Sequence, residues 1–192
     1  MENKNWYKTT IDISHALKPD WEYPDPKDLD VKLRYYFSYE IFNPLWLDFM
    51  ESIELPIQGA MLFYRAANFN TPIAHIDVTK NDPSKSCGSA LNWVIGGKNS
   101  KMHWYNIPNI MPTIQKNQLS TPYKSWLITT LTEIEQYTVT DQLTLVRVDI
   151  PHAVSMSDEP RWCFSVRLRD CDIISWDSTI GIMMAKNLLI DR

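Results

Sequence analysis

His75 and Asp77 stand two residues apart in the run Ile73-Ala74-His75-Ile76-Asp77-Val78. On a β-strand residues i and i+2 face the same side, so this imidazole and this carboxylate project together. His152 offers a third donor. Val146, Val148 and Ile150 precede it at period two, which places it on the inward, apolar face of a strand over 143–150, with Pro151 marking the strand's end. Two histidines and one carboxylate that leave positions open on the ion form the facial triad of non-haem iron(II) oxygenases. An H-x-D pair and a histidine on an apolar strand also occur without a metal, so a fourth group has to decide.

That group is Arg161, nine residues after His152 (161 − 152). The turn from Ser155 to Pro160 is expected to fold the next strand back antiparallel beside that of His152, so that Arg161 enters the same cavity. A guanidinium fork binds a carboxylate bidentately and stays charged at physiological pH. Cys163 shares its face. Arg167 has the same parity, but six strand residues further on is ~20 Å away, which makes it the distant rival.

The order H-x-D, distal His, then Arg resembles the 2-oxoglutarate/Fe(II)-dependent dioxygenase superfamily. Ile150-Pro151-His152-Ala153-Val154 and Arg161-Trp162-Cys163-Phe164-Ser165-Val166-Arg167 resemble the distal-His and co-substrate-Arg strands of its aspartyl/prolyl hydroxylase-like branch. The likeness covers roughly residues 59–170. It implies a double-stranded β-helix (a jelly roll, cupin-like) with flanking helices. It implies Fe(II) on His75, Asp77 and His152, with 2-oxoglutarate anchored by Arg161 and O2 as the second co-substrate. The implied reaction hydroxylates a peptide side chain, an amino acid or a small metabolite, with release of succinate and carbon dioxide.

Many members place Ser two residues after the Arg. Cys163 stands there in this chain, and a thiol is a weaker hydrogen-bonding group. Tyr64 matches a tyrosine that bonds the co-substrate in prolyl hydroxylase-type members, and it reads equally as a half-buried barrel residue. Asn92, polar in an apolar strand, faces the co-substrate or holds a turn. His103 lacks ligand spacing and reads as a packing or surface residue, and His15 as structural. Two other functions use the same residues differently: a non-catalytic cupin-like module that binds metal or ligand, and a metal-dependent isomerase or hydrolase that ignores Arg161.

The elements that must position these groups read mainly as strands. Gly59–Ala66, Ile73–Val78, Ala90–Ile95, Lys101–Tyr105, Glu133–Val139, Leu143–Ile150 and Arg161–Arg169 carry strand patterning. Gly96-Gly97 is expected to join two of them as a hairpin. Asn43-Pro44 opens a helix whose Leu45, Trp46, Phe49, Met50 and Ile53 form one apolar face, and Pro56 stops it. A strand is expected around Tyr7–Ile13, and 178–189 as a final helix. Trp162 and Phe164 alternate against Arg161 and Cys163, so they should pack outward on the helix around Trp46. The chain then forms one domain, with an arm and supporting helix over 1–58, a jelly-roll core over 59–170 and a tail over 171–192. Loops 68–72, 80–86 and 108–123 would set the substrate, the last suited to a lid.

Composition agrees. Glycine is scarce at 5 and proline plentiful at 12, beside 8 Trp, 9 Tyr and 6 Phe, a usage that favours strands and rigid turns over helices. The net charge of −4, with no basic stripe, argues against binding the phosphates of a long duplex. A nucleotide held in a pocket stays open. Cys87, Cys163 and Cys171 have no C-x-x-C spacing, so neither a disulfide framework nor a zinc knuckle is expected, and a reducing, cytoplasmic setting fits. The first residues hold no apolar signal core, and no stretch approaches the ~20 apolar residues of a membrane helix.

Overall fold

The computed structural model describes residues 4–23, 33–80, 82–138 and 141–190. Part of the proline-rich stretch from Pro19 to Pro26, together with Val139 and Thr140, lies outside them. Sixteen elements follow one another. They are β1 (Trp6–Thr9), β2 (Leu33–Phe37), α1 (Ser38–Ile41), α2 (Pro44–Ser52), β3 (Ile57–Arg65), β4 (Ile73–Asp77), β5 (Ser89–Gly96) and β6 (Lys101–Tyr105). Then come β7 (Thr113–Lys116), β8 (Pro122–Leu127), β9 (Glu133–Thr138), β10 (Thr144–Arg147), β11 (His152–Ser155), β12 (Arg161–Leu168), α3 (Trp176–Ala185) and β13 (Leu189–Ile190). One 3-10 turn, Ile128–Thr130, follows β8.

The strands make two antiparallel sheets. One has seven strands in the order β13-β1-β10-β5-β12-β3-β2, the other six in the order β7-β8-β4-β11-β6-β9. From β3 to β6 and from β9 to β12 the chain changes sheet at every step. Both ends of the chain add strands to the larger sheet, so the arm and the tail are built into it.

The outer face of the larger sheet is covered by the arm, α2 and α3. The packing includes Trp46, Met50, Leu62, Phe164, Leu168, Trp176 and Met183. Asn43 caps α2, its side chain accepting from the Leu45 N–H at 3.0 Å, and Pro44 takes the first turn, where it sacrifices no hydrogen bond. Trp46, Met50 and Ile53 are buried as the periodicity requires, but Leu45 and Phe49 point to solvent. A helix of nine residues laid on a sheet buries a narrower stripe than those five positions span. Phe164 and Trp162 do face outward; Trp21 and Tyr23 of the arm cover Phe164, and Tyr23 and Tyr64 flank Trp162.

Between the sheets the space divides. The half bounded by β6, β9 and β10 is an apolar plug of Met102, Trp104, Val146, Val148 and their neighbours. The other half, bounded by β2, β3, β4 and β8, is a cleft of ≈ 1220 Å³.

Four sequence expectations are corrected here. The strand over 143–150 ends at Arg147, and the chain crosses between sheets at 148–151 before β11 begins at His152. Arg161 does not lie on a strand beside that of His152, because β12 sits between β3 and β5 in the other sheet. Gly96-Gly97 leads from β5 to β6 across the sheets and not round a hairpin; both residues have positive φ, 77° and 62°. Cys87 and Cys171, 84 residues apart in sequence, form a disulfide that spacing alone did not reveal. Cys163 is the free, buried cysteine. Loop 108–123 contains β7 and so closes as a β7–β8 hairpin at the edge of the smaller sheet. Among the described residues no helix is long and apolar enough to cross a membrane.

Candidate metal centre

β4 and β11 are hydrogen-bonded neighbours, and their register sets His75 opposite His152. Strand parity adds Asp77 on the same inward face. One donor atom from each of His75, Asp77 and His152 falls within 4.8 Å of the other two, close enough to share one metal ion. The imidazole centroids of the two histidines are 4.4 Å apart, and His75 Nε2 lies 3.5 Å from Asp77 Oδ1.

The second ring of contacts orients these donors. His152 Nδ1 donates to the Ile150 carbonyl at 3.0 Å, which leaves Nε2 for an ion. The Asp77 N–H donates to the Val148 carbonyl at 3.1 Å, so the crossing that delivers His152 is fastened to the ligand strand. Arg167 Nη1 donates to Asp77 Oδ2 at 2.7 Å and leaves Oδ1 turned to His75.

The electrostatics keep every donor in its ligating state. Burial, then the neighbouring His152, pushes the His75 pKa down from 6.5 to about 3. Burial likewise lowers His152. Burial alone would raise Asp77, but Arg167, His75 and His152 together pull it well below the usual carboxylate range. Both imidazoles are therefore neutral and the carboxylate ionised at neutral pH, as metal binding requires.

Arg161 is only 5% exposed, and its Nε and Nη1 have no hydrogen-bond partner. Its register partner across β3 is Arg65, so two guanidinium-bearing residues stand side by side, and no acidic partner is found for either among the described residues. Burial lowers both from the ordinary arginine value, and Arg161 lowers Arg65 further. Arg65 lines the cleft, and its charge also acts on His75. Cys163 follows on the same inward face of β12, its thiol pushed up by burial and pulled down by Arg161, Arg65 and Arg167. Asn92 registers with Ser165 and Thr144 on the inner face of the larger sheet, with its Oδ1 unpartnered.

Tyr64 borders the cleft, but its ring turns away from the metal donors. It registers with Trp162, ring centroids 5.1 Å apart, on the face opposite Arg65 and Phe63. His103 also points away, Nδ1 against Glu133 and Nε2 against Ser155 Oγ, both at 2.8 Å. The β7–β8 hairpin does reach the cleft: Tyr123 registers with Asp77, and its ring lies 5.8 Å from that of His75.

The arginine that touches the ligand set is Arg167, the distant rival by spacing, and Arg65 carries no spacing signal in the sequence. The reason is direction. β12 enters opposite Arg65 at the end of β3, and Arg167 ends up opposite Gly59, near the start of β3. The chain leaves β3, turns into β4 and comes back, so Asp77 lies at the Arg167 end. The equal parity of Arg161 and Arg167 was the available signal. The chain matches no protein-family model and no curated protein.

Proposed function

We propose that this chain is a non-haem Fe(II)- and 2-oxoglutarate-dependent dioxygenase that hydroxylates a small-molecule or side-chain substrate. Three observations support the reading. The donor set is two imidazoles and one carboxylate on neighbouring strands, the composition of a facial iron site. The strand pairing β3·β12, β4·β11, β5·β10 and β6·β9, alternating between two antiparallel sheets, is compatible with an eight-stranded jelly roll. The observation that carries the proposal is the buried Arg161, with two of its donors open, beside the half-buried Arg65, and with no acidic partner for either among the described residues. A guanidinium buried with open donors needs an anion, and the distal carboxylate of a keto diacid is one.

In this reading His75, Asp77 and His152 hold the iron. When bound, iron with the keto acid and O2 supplies oxidative decarboxylation coupled to hydroxylation. The protein's part is geometric and electrostatic. Arg167 fixes which oxygen of Asp77 faces the ion. Arg161, backed by Arg65, fixes the far end of the diacid. The inner face of β12 between them, Cys163 and Ser165, runs along it. The apolar plug at Trp104 closes the far side to water, and the cleft beside Tyr123 receives the substrate.

The test is turnover without added substrate. The purified chain with Fe(II), ascorbate, O2 and 2-oxoglutarate is expected to form succinate slowly, and chelation should stop it. Absence of both succinate and 2-oxoglutarate binding would refute the proposal in favour of a metal-binding module that does no chemistry.

A further inference from the structure

The loop after Asp77, residues 79–86, returns to the larger sheet at Cys87. It is closed at its base. Thr79 N–H donates to the Lys85 carbonyl at 3.0 Å, Val78 and Ser86 form a bridge, and the Cys87 N–H donates to the Asp77 carbonyl at 3.1 Å. Three further links tie this base to the segment after β12. They are the Cys87–Cys171 disulfide, the Gly88 N–H to the Cys171 carbonyl at 2.9 Å, and the Lys85–Asp172 ion pair at 3.3 Å. Cys171 is four residues past Arg167 (171 − 167), whose guanidinium holds Asp77. The disulfide therefore ties the segment hydrogen-bonded to the ligand residue Asp77 to the segment that follows the strand of Arg167.

We propose that Cys87 and Cys171 form a thiol-redox switch on the metal centre: closed, the disulfide holds Asp77 and Arg167 in register, and opening it weakens metal binding. The inference rests on the metal-centre reading above. Of the two cysteines, Cys87 is buried at 6% exposure, whereas Cys171 is half-buried. Both border the main cleft, but only Cys171 also borders a smaller recess of ≈ 280 Å³ that includes Ser86 and Asp172. A dithiol reductant therefore attacks at Cys171. Its thiolate bonds to Cys171 Sγ, the protein S–S bond breaks, and Cys87 leaves as a thiolate and takes up a proton. The second thiol of the reductant then displaces Cys171, which is protonated in turn. Two electrons pass to the protein, and the reductant leaves as its own disulfide. Cys163, on the inner face of β12, takes no part.

The experiment compares the full chain in two states. One is oxidised with oxidised glutathione. The other is reduced with dithiothreitol and desalted under argon. Each is titrated with Co(II) and followed by visible absorption. Thiol counts after denaturation should be one in the first and three in the second, from the three cysteines. The reduced chain is expected to bind Co(II) about 10-fold more weakly, the scale of losing an orienting contact behind a ligand, and to recover on reoxidation. The double variant Cys87→Ser/Cys171→Ser should sit at the weaker value whatever the redox state. Equal affinity at thiol counts of one and three overturns the switch alone, as does a count of three in the oxidised sample. Failure of Co(II) to bind in either state overturns the metal centre and the switch with it.

Discussion

Replacing Arg161 with methionine should make the metal-free protein more stable and, on the proposed function, abolish 2-oxoglutarate binding. Arg161 is buried on the inner face of β12 beside Arg65, with Nε and Nη1 unpartnered. Each buried donor left without a partner costs on the order of 1–3 kcal/mol, more on a charged group. Methionine keeps much of the length and apolar contact and has no donor to satisfy. Allowing for imperfect repacking, Arg161→Met should gain about 2 kcal/mol, or roughly 5 °C in Tm for a chain of this size. On the proposed reading the same change also deletes two charge-assisted hydrogen bonds to the co-substrate carboxylate, each worth about 1.5–3 kcal/mol, so 2-oxoglutarate affinity should fall at least ~100-fold. Urea unfolding of the metal-free chain and calorimetric titration of the Co(II)-loaded chain with 2-oxoglutarate read the two effects separately. A variant that is less stable by more than about 1 kcal/mol and binds 2-oxoglutarate like the parent would refute the reasoning, because Arg161 would then be a satisfied structural residue.

Acid should destabilise the metal-free protein early. The folded His75 has its pKa depressed to about 3 against 6.5 unfolded, and His152 is depressed too, so the unfolded chain binds more protons below pH 6.5. Stability is thus fully present above pH 6.5 and falls below it, by up to about 1.4 kcal/mol per pH unit for each histidine. Asp77 adds to the loss only at lower pH, since its depressed pKa gives stability that is present above the unfolded value of 3.8. Urea midpoints between pH 7 and 4.5 should show the slope, His75→Gln should reduce it, and a flat profile would contradict the burial of neutral imidazoles. Gly97 has φ 62°, and a Cβ there would meet Arg161 Cβ at 2.7 Å and Ser100 Oγ at 2.9 Å. Gly97→Ala should cost about 1–3 kcal/mol and weaken 2-oxoglutarate binding more than Co(II) binding. Gly181→Ala, in α3 with nothing within 4 Å of the new Cβ, should instead gain up to ~1 kcal/mol, and equal losses at both sites would deny Gly97 a special role.

How much of this was legible in the sequence depended on the range of the interaction. Parity along one strand gave His75 with Asp77, and a cap with its proline gave α2, because both are set within a few residues. The sheet to which each strand belongs is not local. His152 reached its expected place although the strand assumed to deliver it stops at Arg147, because the crossing at 148–151 restores its inward orientation. Arg161 and Arg167 share parity and differ in which end of β12 they occupy; only Arg167 lines the cleft beside Asp77, which depends on the path from β3 into β4. The Cys87–Cys171 contact and the β7–β8 hairpin beside Asp77 depend on the same long-range pairing. Tyr64, chosen by likeness to a family position, has the parity of Trp162 in register, and so it faces outward.

The central claim is that His75, Asp77 and His152 hold an iron that a keto acid chelates. Its most direct test is the visible absorption of the chain with Fe(II) and 2-oxoglutarate under argon. A weak metal-to-ligand charge-transfer band should appear in the parent protein and in His103→Ala, whose ring is engaged by Glu133 and Ser155 on the outer face. It should vanish in His75→Ala. No band in the parent, or a band that survives in His75→Ala, would contradict the account.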